Sequence, residues 1–350
     1  MSQTKAFFVF PGDINTRTGG YLYDKLMLEE LKKVGWDISL ISFEGDYPFP
    51  DEAKRQSAAR QLAAIPNGSL VIADGLAFSA LPELFKKHDS RLRIVALIHH
   101  PLALETGLSE EQSATLKKSE TEALRYAAHI ITTSEHTAET LADFNVSNDR
   151  ITVVFPGTAQ AAVAVGSQSD IFNLICVATI NERKGHAVLV KALKHIEHLP
   201  WQLSCAGSYD RNPDTYKDLV RLTEKLGLND RIRYCGELNN EQLETEYQRA
   251  DLFVLASYYE GYGMVLDEAI ARALPIVATR GGAIANTVPR EAGILTTPGD
   301  SEELASALQR FMENEPVRES LRAGAATARK DLRSWSDAAL QFDSVLKQHG

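Results

Sequence analysis

Leu252-Phe-Val-Leu-Ala-Ser-Tyr-Tyr-Glu-Gly-Tyr-Gly-Met-Val-Leu-Asp-Glu-Ala-Ile-Ala-Arg-Ala-Leu-Pro-Ile-Val-Ala278 is the stretch on which the fold turns. Leu252–Leu255 is an apolar run of strand length, Gly261 and Gly263 loosen the loop after it, a helix begins near Gly263 and runs to about Arg272, and Pro275–Ala278 is a second apolar run. Strand, helix and strand at that spacing make a parallel crossover unit. The rhythm continues on both sides. Upstream stand Phe172–Ala178, a helix over His186–Ile196, Trp201–Ala206, a helix over about Asp214–Leu226, Ile232–Cys235 and a helix near Glu241–Arg249; downstream stand Ile294–Leu295 and Ser301–Asn314. Before them, residues 157–170 are small and polar and read as a linker. A second alternating series precedes the linker, with strands at Ala6–Phe10, Ile38–Ser42, Leu70–Ile72, Ile94–Ile98, His129–Thr132 and Ile151–Val154. Its helices fall at about 21–34, 53–64 and 119–127, and one opens near Ser134. The pattern predicts an α/β chain of two Rossmann-like lobes, each a parallel sheet covered on both faces. Lobes of this kind, facing each other across a cleft with their strand carboxyl ends inward, would enclose a ligand from both sides.

Composition narrows the classes. The 350 residues are 44% hydrophobic and 24% charged, which excludes a disordered or collagen-like chain, and the length suits about two domains. With 37 basic against 47 acidic residues and a net charge of -10, neither half is a polyanion binder, and no nucleic-acid partner is expected. Cys176, Cys205 and Cys235 show neither disulfide nor zinc spacing and read as small buried residues on strands. No run approaches the roughly 18 apolar residues of a membrane span. Ala6–Phe10 runs straight into Pro11-Gly12 and reads as a first strand rather than a secretory leader, and the three cysteines without disulfide spacing make a reducing cytoplasm the expected setting.

The residues that bear chemistry cluster where strands end. The backbone amides of Gly261, Tyr262, Gly263, Met264 and Val265 fall at a helix N-terminus, where free N–H groups and the helix dipole favour a phosphate. Glu260 precedes that helix and Glu268 lies more than a turn inside it, so the two carboxylates engage different hydroxyls of one ligand; the plain alternative is a capping Glu260 and a solvated Glu268. Lys184, alone, reads first as an exposed lysine in the turn before a helix. Gly19-Gly20 open the first long helix without the Gly-x-Gly-x-x-Gly spacing of a dinucleotide site, which argues against a nicotinamide or flavin enzyme. His99 and His100 end a buried strand, with either facing the site, and Glu105 follows as a weaker candidate. Gly207-Ser208 and Gly236-Glu237-Leu238 follow strands and, alone, read as plain turns. Lys86-Lys87 with Arg91 and Arg93, and Lys117-Lys118 with Arg125, read as solvated helix faces; a peripheral contact with the inner face of a membrane stays open.

In combination these segments resemble retaining glycosyltransferases of family four (glycosyltransferase group 1), which have the GT-B fold. Glu260 and Glu268 stand in the Glu-x7-Glu arrangement around Gly-Tyr-Gly-Met-Val, and Val177-Ala-Thr-Ile-Asn-Glu-Arg-Lys-Gly185 is similar to the family's phosphate-binding strand and loop. Thr133-Ser-Glu-His-Thr-Ala, Asp149–Gly157, Arg280-Gly-Gly-Ala and Gly293–Asp300 follow in the expected order. The resemblance implies an acceptor-binding domain over 1–165, a nucleotide-sugar domain over 166–330 and a C-terminal helix over 331–350 that crosses back to the first lobe. It implies transfer of a sugar from a UDP- or GDP-sugar to an acceptor hydroxyl, in glycan, glycolipid or lipopolysaccharide synthesis, with neither metal nor cofactor. Glu260 would hold sugar hydroxyls, residues 261–265 the sugar and diphosphate, and Glu268 the ribose. Lys184 would neutralise the leaving diphosphate, Gly19 and Gly20 would approach the donor, His99 or His100 would shape the reaction centre, and Gly207 and Leu238 would border the base. Many members carry an arginine where this chain has Thr179; Arg183 is the nearby cation, aimed elsewhere if its loop is extended. A nucleotide-sugar epimerase or a phosphorylase of the same architecture, or a non-catalytic binding protein, remain the alternatives.

Overall fold

Interior strands that sequence marks as apolar runs are buried along their length, as strands covered on both faces must be: every residue of Leu70–Asp74, His129–Thr132 and Leu252–Leu255 is buried, whereas Ile38–Ser42, Ile151–Val153 and Ile294–Leu295, on sheet-edge strands, are only partly so. The computed structural model describes residues 4–349, so the outermost residues of the first and last expected ranges lie outside it. The chain divides into two units, Met1–Gly157 with Arg333–Gly350, and Thr158–Leu332.

In the first unit the strands are β1 (Thr4–Pro11), β2 (Trp36–Phe43), β3 (Leu70–Asp74), β4 (Arg93–Ile98), β5 (His129–Thr132) and β6 (Ile151–Val153). They form one parallel sheet in the order β2-β1-β3-β4-β5-β6. The order reverses between β1 and β3, and in sheets of this kind ligands bind past the carboxyl ends at that reversal. The loop after β1 leads to helix Gly19–Lys33, and β3 ends at Asp74, so both open on that crevice. The last helix, Trp335–His349, closes the unit: Trp36 Nε1 donates to Asp343 Oδ1 at 2.8 Å and Gln341 Nε2 donates to the Val153 carbonyl at 2.8 Å.

The second unit repeats the plan with β7 (Phe172–Val177), β8 (Trp201–Ala206), β9 (Ile232–Gly236), β10 (Leu252–Leu255), β11 (Ile276–Thr279) and β12 (Gly293–Thr296), in the order β12-β11-β10-β7-β8-β9. Here the reversal falls between β7 and β10, which sets the loop after β7 beside the loop after β10. A single core of Leu, Ile, Val and Phe side chains from the sheet and its helices holds these loops in place.

Several expectations shift. The linker is not loose, and the division falls after Gly157 rather than 165: Ala164 N donates to the Arg272 carbonyl at 2.9 Å, Val165 N to the Gln248 carbonyl at 3.0 Å, and Arg329 Nη2 to the Ala161 carbonyl at 2.7 Å. Backbone groups of this segment of mostly small residues are recruited by the neighbouring helices, which composition does not show. The helix expected at 119–127 begins earlier, at Glu110, under a capping box formed by Ser109 and Gln112. Helices Gly75–Ala80, Pro82–Lys86 and Glu315–Ala328 were not anticipated. Cys176 and Cys205 are buried on adjacent strands as expected, but Cys235 is only half-buried. Among the described residues no helix is long and apolar enough to cross a membrane.

Candidate functional site

Gly185 assembles the site of the second unit. It adopts φ +64°, and a Cβ there would lie 2.1 Å from the Ala256 carbonyl oxygen, so only glycine lets the loop after β7 pack on the loop after β10. Asn181 caps the turn between them, its Oδ1 accepting from Lys184 N at 3.0 Å, and Glu182–Lys184 forms one 3-10 turn rather than an extended loop. Tyr258 N donates to the Arg183 carbonyl at 2.8 Å and ties the loops together.

On that frame the charged groups converge. Lys184 Nζ stands 2.5 Å from Glu260 Oε1, Arg183 Nη1 stands 3.4 Å from Glu260 Oε2, and Ser257 Oγ donates to Glu260 Oε1 at 2.6 Å. The loop is not extended, so the condition under which Arg183 would point elsewhere is not met: its Nη1 donates to the Tyr259 carbonyl at 2.8 Å and lies against the same carboxylate as Lys184. Burial works to raise the carboxyl of Glu260, which is 5% exposed, but the Lys184 and Arg183 charges and the hydrogen bonds from Lys184 and Ser257 outweigh it and hold the group below its ordinary value. The Glu260 backbone is fixed against Gly282, which has φ +63° and no room for a Cβ, since one would lie 2.4 Å from the Glu260 carbonyl oxygen.

Beyond Glu260 the chain passes Gly261 and Tyr262, whose Oη donates to Asp267 Oδ2 at 2.5 Å, to Gly263, which caps helix Met264–Ala271 in the left-handed region. Among the described residues no carbonyl accepts from the amides of Met264 or Val265, leaving two donors at a helix N-terminus beside Lys184 and Glu260. Glu268 does not stand out in solvent. It is half-buried and its Oε2 accepts from Tyr247 Oη at 3.0 Å; burial raises its carboxyl, opposed by that hydrogen bond and by Arg272. Neither plain reading of the two glutamates matches the geometry, since Glu260 makes no cap on the helix. Gly207 closes β8 beside Ala178, and Gly236 lies under the Tyr209 ring, which stacks on Tyr216 with centroids 4.4 Å apart; Leu238 follows, half-buried.

The first unit holds the remaining expected residues. Gly19 and Gly20 form not a loop but the first turn of helix Gly19–Lys33, because Thr18 Oγ1 accepts from Tyr21 N and caps the helix ahead of them. The histidine register is clear: His99 faces Gly20 and the buried Asp24, with Nε2 at 3.0 Å from Asp24 Oδ1, whereas His100 Nε2 turns to Glu105 Oε2 at 2.9 Å. Asp74 Oδ2 lies 3.7 Å from the same His99 nitrogen. Among the described residues Asp24, Asp74 and His99 are the one group of three such side chains whose polar atoms lie within 4.8 Å of one another, and the shortest of those separations is filled by a hydrogen bond. The basic clusters are partly engaged: Arg91 donates to the Ile65 and Leu62 carbonyls, and Lys86 lies 3.7 Å from Glu122.

Sequence reasoning missed Asp24, Asp74, Tyr247 and Ser257. Asp24 carried a faint signal, as an acidic residue at a position of helix Gly19–Lys33 otherwise shared with Met27, Leu28 and Leu31.

Comparison with known proteins gives the family and the fold. Residues 25–159 match the model for Glycosyltransferase Family 4, and residues 162–328 match that for Glycosyl transferases group 1. The chain belongs to the family-four (group 1) glycosyltransferases. It is 26% identical over 234 residues to a D-inositol 3-phosphate glycosyltransferase of Corynebacterium diphtheriae, a match covering 62% of this chain and 55% of that protein, so the chain spans little more than half the length of that relative. In fold it is similar to a sucrose-phosphate synthase from Thermosynechococcus elongatus, with TM-score 0.82, 19% identity and 99% of each chain covered. It is likewise similar to Anabaena HepE in complex with UDP and glucose, with TM-score 0.81, 16% identity, and 99% of this chain and all of that one covered.

Proposed function

We propose that the chain transfers a sugar from a nucleoside diphosphate sugar to an acceptor hydroxyl, with retention of configuration and without a metal ion. The observation behind this reading is the convergence of Lys184 and Arg183 on buried Glu260 beside the amides of Met264 and Val265, which no carbonyl among the described residues engages. A diphosphate leaving group gains negative charge as the glycosidic bond breaks, and a cation and amides already fixed at that place stabilise the transition state more than the ground state. Glu260 would accept hydrogen bonds from the sugar hydroxyls and Glu268 from those of the ribose. With these cations supplying the charge, a metal ion is not needed, and Arg183 takes the place of the arginine missing at Thr179. The leaving phosphate would take the acceptor proton on the same face. Anabaena HepE is in complex with UDP, which favours UDP among the donors, with a glycan or lipid-linked hydroxyl as acceptor in a cytoplasmic setting.

The test is the thermal shift of the full chain with UDP, GDP, dTDP and ADP, each with and without EDTA. One nucleotide is expected to raise the melting temperature regardless of EDTA, because a ligand bound only by the folded state stabilises it by mass action, and Lys184→Ala should abolish the shift. No shift from any of the four at millimolar concentration would overturn the proposal.

A further inference from the structure

We infer that Asp24 and Asp74 are positioning residues that hold His99 as an imidazolium, so that its Nδ1–H is a fixed hydrogen-bond donor to a substrate oxygen and His99 does not act as a base. Asp24 is 1% exposed on the apolar face of helix Gly19–Lys33, and a carboxylate so placed requires a cation or hydrogen bonds to be tolerated. Its Oδ1 is 3.0 Å from His99 Nε2, and its Oδ2 is buried with no partner among the described residues. The second carboxylate comes from a different element: Asp74 ends β3, caps the following helix by accepting from Leu76 N at 3.0 Å, and puts Oδ2 3.7 Å from the same nitrogen.

The ring cannot easily turn away. Tyr23 packs edge-on at 5.3 Å between centroids while its own Oη is engaged with the Val154 carbonyl at 3.2 Å. Gly20 closes the approach, since a Cβ there would lie 3.3 Å from His99 Cδ2. Thr137 Oγ1 donates to the His99 carbonyl at 3.2 Å and fixes the backbone. The other ring nitrogen, Nδ1, has no partner among the described residues and is not buried, so it is the edge a ligand meets.

The charge state decides what that edge offers. A neutral ring donating from Nε2 to Asp24 would present a lone pair at Nδ1, whereas a protonated ring presents N–H. Burial favours the neutral ring, but the Asp24 charge and hydrogen bond, with Asp74 adding to them, outweigh it and raise the group above 6.5. Asp74 is itself pushed up to about 7 by burial and by Asp24, opposed by His99, so Asp24 is the principal counter-ion of the ring and Asp74 the lesser one. Asp24 and Tyr23 from the helix and Asp74 from β3 are the titratable groups facing the ring; His100 is turned to Glu105. The identity of the substrate rests on the proposed transfer reaction, while the charge state does not.

The experiment is a histidine-selective NMR titration of the unliganded full chain, in wild type, Asp24→Asn and Asp74→Asn, with His99→Gln to assign the resonance, and pH profiles of kcat/KM alongside. The His99 signal is expected to titrate above 6.5 in wild type and to fall by about one unit or more in Asp24→Asn, with the alkaline limb of kcat/KM moving the same way. Asp74→Asn, expected to shift it less, serves if Asp24→Asn does not fold. A wild-type value at or below 6.5, a folded Asp24→Asn with an unmoved signal, or a signal perturbed by millimolar Mg2+ or Zn2+ alone would overturn the inference. An intact shift without nucleotide binding would sustain the positioning and sink only the transferase reading. Transfer with an alkaline limb indifferent to Asp24→Asn would do the reverse.

Discussion

Lys184 Nζ and Glu260 Oε1, 76 residues apart in sequence, stand 2.5 Å apart where the loops after β7 and β10 meet. Two elements that are neighbours only because the strand order reverses between them contribute one charge each. Losing either charge should lower kcat by at least about a hundredfold, the usual scale for a group that stabilises developing charge. The stability effects should be unequal. Lys184→Ala leaves a buried carboxylate with Arg183 and Ser257 alone, costing about 2 kcal/mol, and adding Glu260→Gln should restore much of it. A urea-unfolding double-mutant cycle reads this directly, and additive effects would sink the coupling.

Acid should act on the same pair. The Glu260 carboxyl is held below 4.5 in the folded state, so its contribution is present above the unfolded value and is lost as pH falls through the lower folded value. Wild type should therefore lose urea resistance below about pH 4.5 more steeply than Glu260→Gln. Parallel profiles between pH 7 and 3 would show that the ion pair does not contribute.

The fold was legible because its strands are apolar runs of strand length bounded by turn residues; β8 and β10 fall on Trp201–Ala206 and Leu252–Leu255 as expected. Strand order was not, since each run pairs equally well with any other, and with it went the meeting of Lys184 with Glu260. Helix Glu315–Ala328 was missed because Asn314, read as the end of one helix, also caps the next. Asp24 and Asp74 were invisible for a different reason: a buried carboxylate looks like a surface one until its partner, 75 residues from Asp24 in the case of His99, is placed beside it.

Glu268 should show a site residue that costs stability. Burial raises its carboxyl above 4.5, so the ionised form present at neutral pH is disfavoured in the folded chain, and the penalty grows as pH rises through that range. Glu268→Gln should leave the melting temperature of the unliganded chain unchanged or higher while weakening nucleotide binding. Tyr247→Phe removes the hydroxyl 3.0 Å from Glu268 Oε2 and should raise donor KM about tenfold with little change in kcat, as expected for uniform binding. A loss confined to kcat would contradict a ribose-holding role for Glu268.

The C-terminal helix should be a stability element of the first unit. Trp36 is 3% exposed and donates to Asp343, which is 8% exposed and also accepts from Lys347 Nζ at 2.7 Å. Around this bond Ala338, Phe342 and Leu346 are buried, so the helix contributes both an apolar face and the acceptor of a buried N–H. Asp343→Ala strands the Trp36 indole N–H and should cost about 1–3 kcal/mol, whereas Asp343→Asn keeps an acceptor oxygen and should cost less. Trp36→Phe should make the Asp343→Ala change nearly silent, because the group left unsatisfied is then gone. Urea midpoints of the four chains test this: an Asp343→Ala effect of the same size in the Trp36→Phe background would mean that the aspartate acts through Lys347 or the helix itself rather than through the indole.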